Sequence, residues 1–76
     1  MNNWISNEVE LPFAGRLVWV KWYSVLNPNQ VMVWYGKRRL YNGEILWKVV
    51  DPKSFETNCL VDKQVIAWMP IEIPEP

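Results

Sequence analysis

The chain has no histidine, and its one cysteine is Cys59. Without an imidazole, the commonest general acid–base group of enzymes is missing. A single thiol cannot close an intramolecular disulfide, and the usual zinc sites need more Cys and His than this sequence holds. The three glycines, Gly15, Gly36 and Gly43, lie too far apart to build a phosphate-cradling loop. Cys59 has Asp62 nearby and no cation closer in sequence than Lys63, a poor setting for an activated thiolate. Carboxylates that come close in sequence, Glu8 with Glu10 and Glu72 with Glu75, sit near the ends and read as solvated surface. The expectation is a protein without catalytic, cofactor-binding or metal-binding residues. No run approaches the ~18 apolar residues of a membrane span, and no charged-then-apolar leader opens the sequence. With one free thiol, this points to the cytoplasm and away from the membrane.

What the chain does have is aromatic mass. Its 76 residues include six Trp, three Tyr and two Phe. A domain of this size buries only about 60% of the surface its unfolded chain exposes, so its stability margin is thin. Large rings bury roughly 150–250 Å² each and substitute here for disulfides and metals. Net charge is zero, which gives no overall basic footprint, but the charges are segregated. Residues 16–53 hold seven basic side chains against two acidic, and the remainder holds one against six. Either the acidic flanks fold back over a basic middle, or the middle meets an anionic partner.

The middle, residues 30–50, reads as a β-hairpin turning at Asn42-Gly43, a pair that tolerates the positive φ of a type I′ turn. That turn sets Tyr41 against Glu44, Leu40 against Ile45, Arg38 against Trp47 and Gly36 against Val49. Met32, Trp34, Gly36, Arg38, Leu40, Ile45, Trp47 and Val49 then share one face, which is assigned to the core. The Arg38 stem is expected along Trp47, with its guanidinium at the rim. The opposite face carries Lys37, Arg39, Glu44 and Lys48, but also Val31, Val33, Tyr35, Tyr41, Leu46 and Val50. It is too apolar to stand bare in water, so a homodimer or another partner is expected to cover it.

Before the hairpin, residues 17–24 alternate as a strand, with Val18, Val20 and Trp22 on one face. Asn27-Pro28-Asn29 signals the turn between that strand and the hairpin. Asn7 and Glu10 have capping-box spacing for one helical turn, and residues 11–15 read as a turn into the first strand. After it, Asp51-Pro52 breaks the third strand, and 52–62 suits either a short helix or a loop. Residues 64–69 form a last strand stopped by Pro70. The expected fold is all-β: a small antiparallel meander of four to five strands, curled into a half-barrel resembling SH3-like folds. It occupies 1–70 as a single domain, followed by a Pro-rich extended tail over 71–76.

The ends carry motifs. Trp4-Ile5-Ser6, Leu11-Pro12 and Gly15 open the chain, and Trp68-Met69-Pro70 with a Pro-Glu-Pro tail closes it. In these the sequence resembles the domain of unknown function 551, a family of small proteins common in phages and prophages. The resemblance covers both ends and leaves the middle out. Ala67 stands where the family has a histidine before its W-M-P, and Ile71 replaces a leucine after it. The resemblance implies phage origin and an accessory role in infected cells, and no catalytic activity. The paired end motifs are also explained as structure alone, with Trp4 and Trp68 packing on each other or on the hairpin.

Together these readings favour a non-catalytic protein-binding module that occupies a site on a host or phage protein, a defence component among the candidates. Trp19, Tyr35 and Tyr41 are the expected anchors, with Arg38 and Arg39 at the rim, because Trp, Tyr and Arg dominate binding hot spots. The alternative is a nucleic-acid-binding module using the basic hairpin 35–41, whose cations alternate with rings that bases could stack on.

Overall fold

The computed structural model describes residues 4–71. Six strands form one antiparallel sheet: β1 (Ile5–Ser6), β2 (Val18–Ser24), β3 (Asn27–Tyr41), β4 (Glu44–Val50), β5 (Thr57–Leu60) and β6 (Val65–Pro70). Their order across the sheet is β1-β6-β2-β3-β4-β5. Strands β2 to β5 are a meander, and β6 returns to pair with β2 on its free side. The all-β, antiparallel expectation holds, with six strands in place of four to five.

The connection into β6 requires the sheet to curl. In a flat sheet β5 and β6 would lie four spacings, or about 19 Å, apart. Between Leu60 and Val65 the chain passes through a 3-10 turn at Asp62–Gln64 and spans no more than about 15 Å. Curling also brings Val18, Val20 and Trp22 of β2, Trp47 and Val49 of β4, Leu60 of β5, and Val65 and Trp68 of β6 into one core. The sheet stays open, with β1 and β5 at its edges.

Gly36 lets the sheet bend at its middle. β3 pairs with β2 as far as Gly36 and with β4 from Tyr35 onward, so both ladders overlap there. A Cβ on Gly36 would strike the Lys48 carbonyl oxygen and come within 2.7 Å of the Val49 Cα. Only glycine admits the β4 backbone this close.

The hairpin register is the expected one, from Tyr41↔Glu44 to Gly36↔Val49. Asn42 and Gly43 take φ of 48° and 86°. The core, however, ends at Trp47. Leu40 and Ile45 face inward but are 66% and 48% exposed, because the hairpin tip runs past the start of β2 and has no strand opposite it.

Three local expectations change. The β2–β3 turn is at Val25-Leu26, where Ser24 Oγ accepts the Leu26 N–H, and Asn27-Pro28-Asn29 already lies in β3. Segment 52–62, open between a short helix and a loop, is a turn followed by β5, with Asp62 starting the 3-10 turn. Asp51 holds the turn by accepting the Lys53 N–H and the Ser54 hydroxyl, and Phe55 closes it at φ 64°. The early helical turn exists, but Ser6 caps it instead of Asn7: its carbonyl accepts the Val9 and Glu10 N–H groups and its hydroxyl that of Glu8. Gly15, at φ 81°, closes the turn before β2 and donates its N–H to the Arg38 carbonyl. Trp68 is buried and donates to the Glu10 carbonyl, whereas the Trp4 ring takes the Lys21 ammonium at 4.5 Å on the outer face. The two tryptophans therefore sit on opposite sides of the sheet. Apart from Ile71, the expected tail (71–76) lies outside the described residues.

Candidate functional site

Strand alternation gives the sheet an inner and an outer face, and adjacent residues of β3 are divided between them. On the inner face Arg38 donates from Nε and one terminal nitrogen to the two oxygens of Asp62, each at 3.0 Å. Asp62 Oδ1 also accepts the Trp47 indole N–H at 2.6 Å. Those hydrogen bonds, from Arg38 first and then Trp47, hold the Asp62 carboxyl below its ordinary range against the opposing effect of burial. Its hydrogen bonds to Asp62 raise the Arg38 pKa against the opposing effect of burial. This cluster pins the 3-10 turn to the hairpin. Tyr23 and Gln64 add a second tie, through Tyr23 hydroxyl to the Lys63 carbonyl and Gln64 amide to the Tyr23 carbonyl. Arg38 is thus a structural residue, 14% exposed at its side chain, and does not stand at the rim of the expected site.

The outer face is built in rows by the register. Met69, Trp19, Tyr35 and Val50 stand side by side across β6, β2, β3 and β4. Trp19 and Tyr35 meet edge to face at 6.0 Å. The next row toward the hairpin tip sets Lys37 opposite Lys48, and Lys48 opposite Cys59. Beyond it, Arg39 stands opposite Leu46 and lies over the Tyr41 ring at 5.8 Å.

A cleft of about 260 Å³ opens here, walled by Leu17, Tyr35, Tyr41 and Val50 and bordered by Lys37, Arg39 and Lys48. Two like charges directly opposite across a ladder repel, and among the described residues no carboxylate pairs with either. Among the described residues the ion pair is Arg38–Asp62, and none reaches these three cations. The structure therefore brings together four of the five expected contact residues, Trp19, Tyr35, Arg39 and Tyr41, and separates Arg38 from them.

Sequence reasoning missed Lys37 and Lys48 as a pair, although the hairpin register already placed them face to face. It also placed no cation beside Cys59, because Lys48 reaches it only through the β4–β5 pairing. Asp62 was unreadable as the Arg38 partner, since the contact spans 24 positions and depends on the curl. Val31 and Val33, 51% and 44% exposed, continue the outer apolar surface away from the cleft. Among the described residues, no helix is long and apolar enough to cross a membrane. No family model matches the chain, and neither a curated protein nor a solved structure matches it.

Proposed function

We propose that this chain is a non-catalytic protein-binding module whose outer cleft takes a partner segment with acidic side chains set among apolar ones. The observation that carries the reading is the Lys37–Lys48 pair, with Arg39 beside it and no ion pair to any of the three among the described residues, around a cleft walled by two tyrosines. A carboxylate placed between the lysines would relieve their repulsion, and rings already half-buried lose little conformational freedom on becoming anchors. The end motifs, which resemble the phage family of unknown function, set the context. A small accessory protein of that kind acts in the host cytoplasm by occupying a site on a host or phage protein, a defence component being the candidate of most interest.

The same cations beside Tyr35 and Tyr41 favour a second reading, a single-stranded nucleic acid stacking along the hairpin. Affinity capture from infected cells, with and without nuclease, separates the two. A nuclease-resistant protein partner is expected. Tyr35→Ala and Tyr41→Ala should each weaken its binding by about 2 kcal/mol, roughly 30-fold, and Lys37→Ala by much less. Recovery that depends on nucleic acid, with affinity falling steeply as salt rises, would replace the first reading with the second.

A further inference from the structure

A surface distinct from the cleft is the free edge of β3. β4 pairs with β3 only from Tyr35 to Tyr41, so residues 31–34 of β3 are paired on the β2 side alone, and the β2–β3 register breaks just before them, where Ser24 pairs with Asn27. Continuing the β3–β4 register would set Pro52 opposite Val33. Proline has no N–H to give, which explains why the ladder stops there.

The direction of each backbone group along this edge follows from the ladder. Tyr41 and Glu44, flanking a two-residue turn, are a hydrogen-bonded pair, so the N–H and C=O of Tyr41 point toward β4. Every second residue repeats that direction, through Arg39, Lys37 and Tyr35 to Val33 and Val31. Arg38 confirms the parity, since its carbonyl points the other way and accepts the Gly15 N–H. The β2–β3 register runs unbroken from Gly36 to Val31, so no slip intervenes. The N–H and C=O groups of Val31 and Val33 therefore project from an unpaired edge, beside side chains that are themselves 51% and 44% exposed.

Edges of this sort are normally guarded by a lysine, a proline or a bulge. Pro28 and the register shift beside it guard the start of β3, but residues 30–35, Gln-Val-Met-Val-Trp-Tyr, carry no charge, no proline and no glycine. This is a run of high β-propensity left open on one side.

We propose that the occupant is the same edge of a second copy, paired antiparallel about a two-fold axis at Met32. The backbone parity suits that axis over residues 30–34; beyond them Asn29 of the copy would meet Tyr35, whose edge Val50 already fills. Val31 of each copy would face Val33 of the other as a hydrogen-bonded pair, each giving an N–H to the carbonyl opposite. Side chains match as valine on valine and methionine on methionine, with no charge brought against its own image. The cleft cations stay clear of one another. Lys37 of the two copies would lie about 33 Å apart along the strands, beyond a Debye length of about 8 Å. A two-fold perpendicular to the sheet keeps both outer faces on one side, so the dimer would present two basic clefts to the same partner.

Sedimentation velocity over a concentration series, with hydrogen exchange on the same samples, tests this. A monomer–dimer equilibrium is expected. Protection of the Val31 and Val33 amides should grow with concentration, while the Met32 and Trp34 amides, which face β2, stay protected throughout. Val33→Lys places a cation beside the two-fold without touching the core, and should give a monomer with unchanged circular dichroism. Should that variant not fold, exchange on the native chain still decides. A chain that stays monomeric at millimolar concentration overturns the proposal, leaving the edge for a foreign strand or for water. So does a dimer whose Val31 and Val33 amides exchange as fast as in the monomer.

Discussion

Arg38 and Arg39 are neighbours in sequence and lie in opposite electrical surroundings. The inner face gives Arg38 a two-point ion pair with Asp62, whose Oδ1 also accepts the Trp47 indole N–H. The outer face gives Arg39 the face of a tyrosine ring and two lysines in the row beside it. The inner cluster is closed within the chain: Asp62 takes two donors from Arg38 and one from Trp47, and its removal should be felt in stability. The outer cluster is incomplete: its charges repel, and its removal should be felt in binding and hardly at all in folding. Where a small domain leaves cations unpaired around apolar walls, while pairing the adjacent one fully, the unpaired set is the better candidate for function.

The strongest way to break the comparison is to remove what lets the two faces share one bent strand. Gly36→Ala puts a methyl group against the Lys48 carbonyl and the Val49 Cα, backbone atoms that cannot rotate away. It should cost about 3 kcal/mol or more. Denaturant titration measures this directly. An alanine variant within 1 kcal/mol of the parent would mean that β3 and β4 are not held at the spacing described here.

A smaller loss is expected on the inner face. Asp62→Ala should cost about 2 kcal/mol, less than a fully buried pair because the Asp62 side chain is 44% exposed. The pH dependence has a definite sign. The folded carboxyl is held below its ordinary value, so its contribution is complete above the unfolded carboxylate pKa of about 3.9. It is then lost as pH falls through the lower, folded pKa. Stability curves of parent and variant should run parallel at neutral pH and converge in acid. A gap that persists undiminished at pH 2 would assign the loss to packing instead of charge.

How far the sequence could be read follows a physical line. Whatever depends on alternation and one tight turn was legible: the hairpin register, the burial of Val18, Val20 and Trp22, and the face shared by Tyr35, Arg39 and Tyr41. What depends on curl was not. The Arg38–Asp62 pair and the exposure of Leu40 and Ile45 follow from how far β3 overruns β2 and from where the 3-10 turn crosses. The Val25-Leu26 turn was hidden for a different reason. Pro28 and two asparagines are a strong turn signal, and the actual turn residues are apolar ones, held by the Ser24–Asn27 pair and by the Ser24 hydroxyl on the Leu26 N–H.

The smallest effect is the most discriminating, because its two readouts move in opposite directions. Lys48→Glu converts the repulsive Lys37–Lys48 pair into an attractive one, at a position exposed on the outer face and remote from the core cluster. Cross-strand charge pairs are worth a few tenths of a kcal/mol, so the variant should gain about 0.5 kcal/mol. For a domain this small that is a rise of about 2–4 °C in Tm. The gain should shrink in high salt, since both side chains are solvated. An anionic partner should meanwhile bind more weakly, having lost a cation and met a carboxylate in its place. Melting curves at low and high salt test the first half, and titration with the captured partner tests the second. Should the variant melt below the parent at low salt, Lys37 and Lys48 would not be in conflict. The outer face would then be as settled as the inner one, and the case for a binding cleft would go with it.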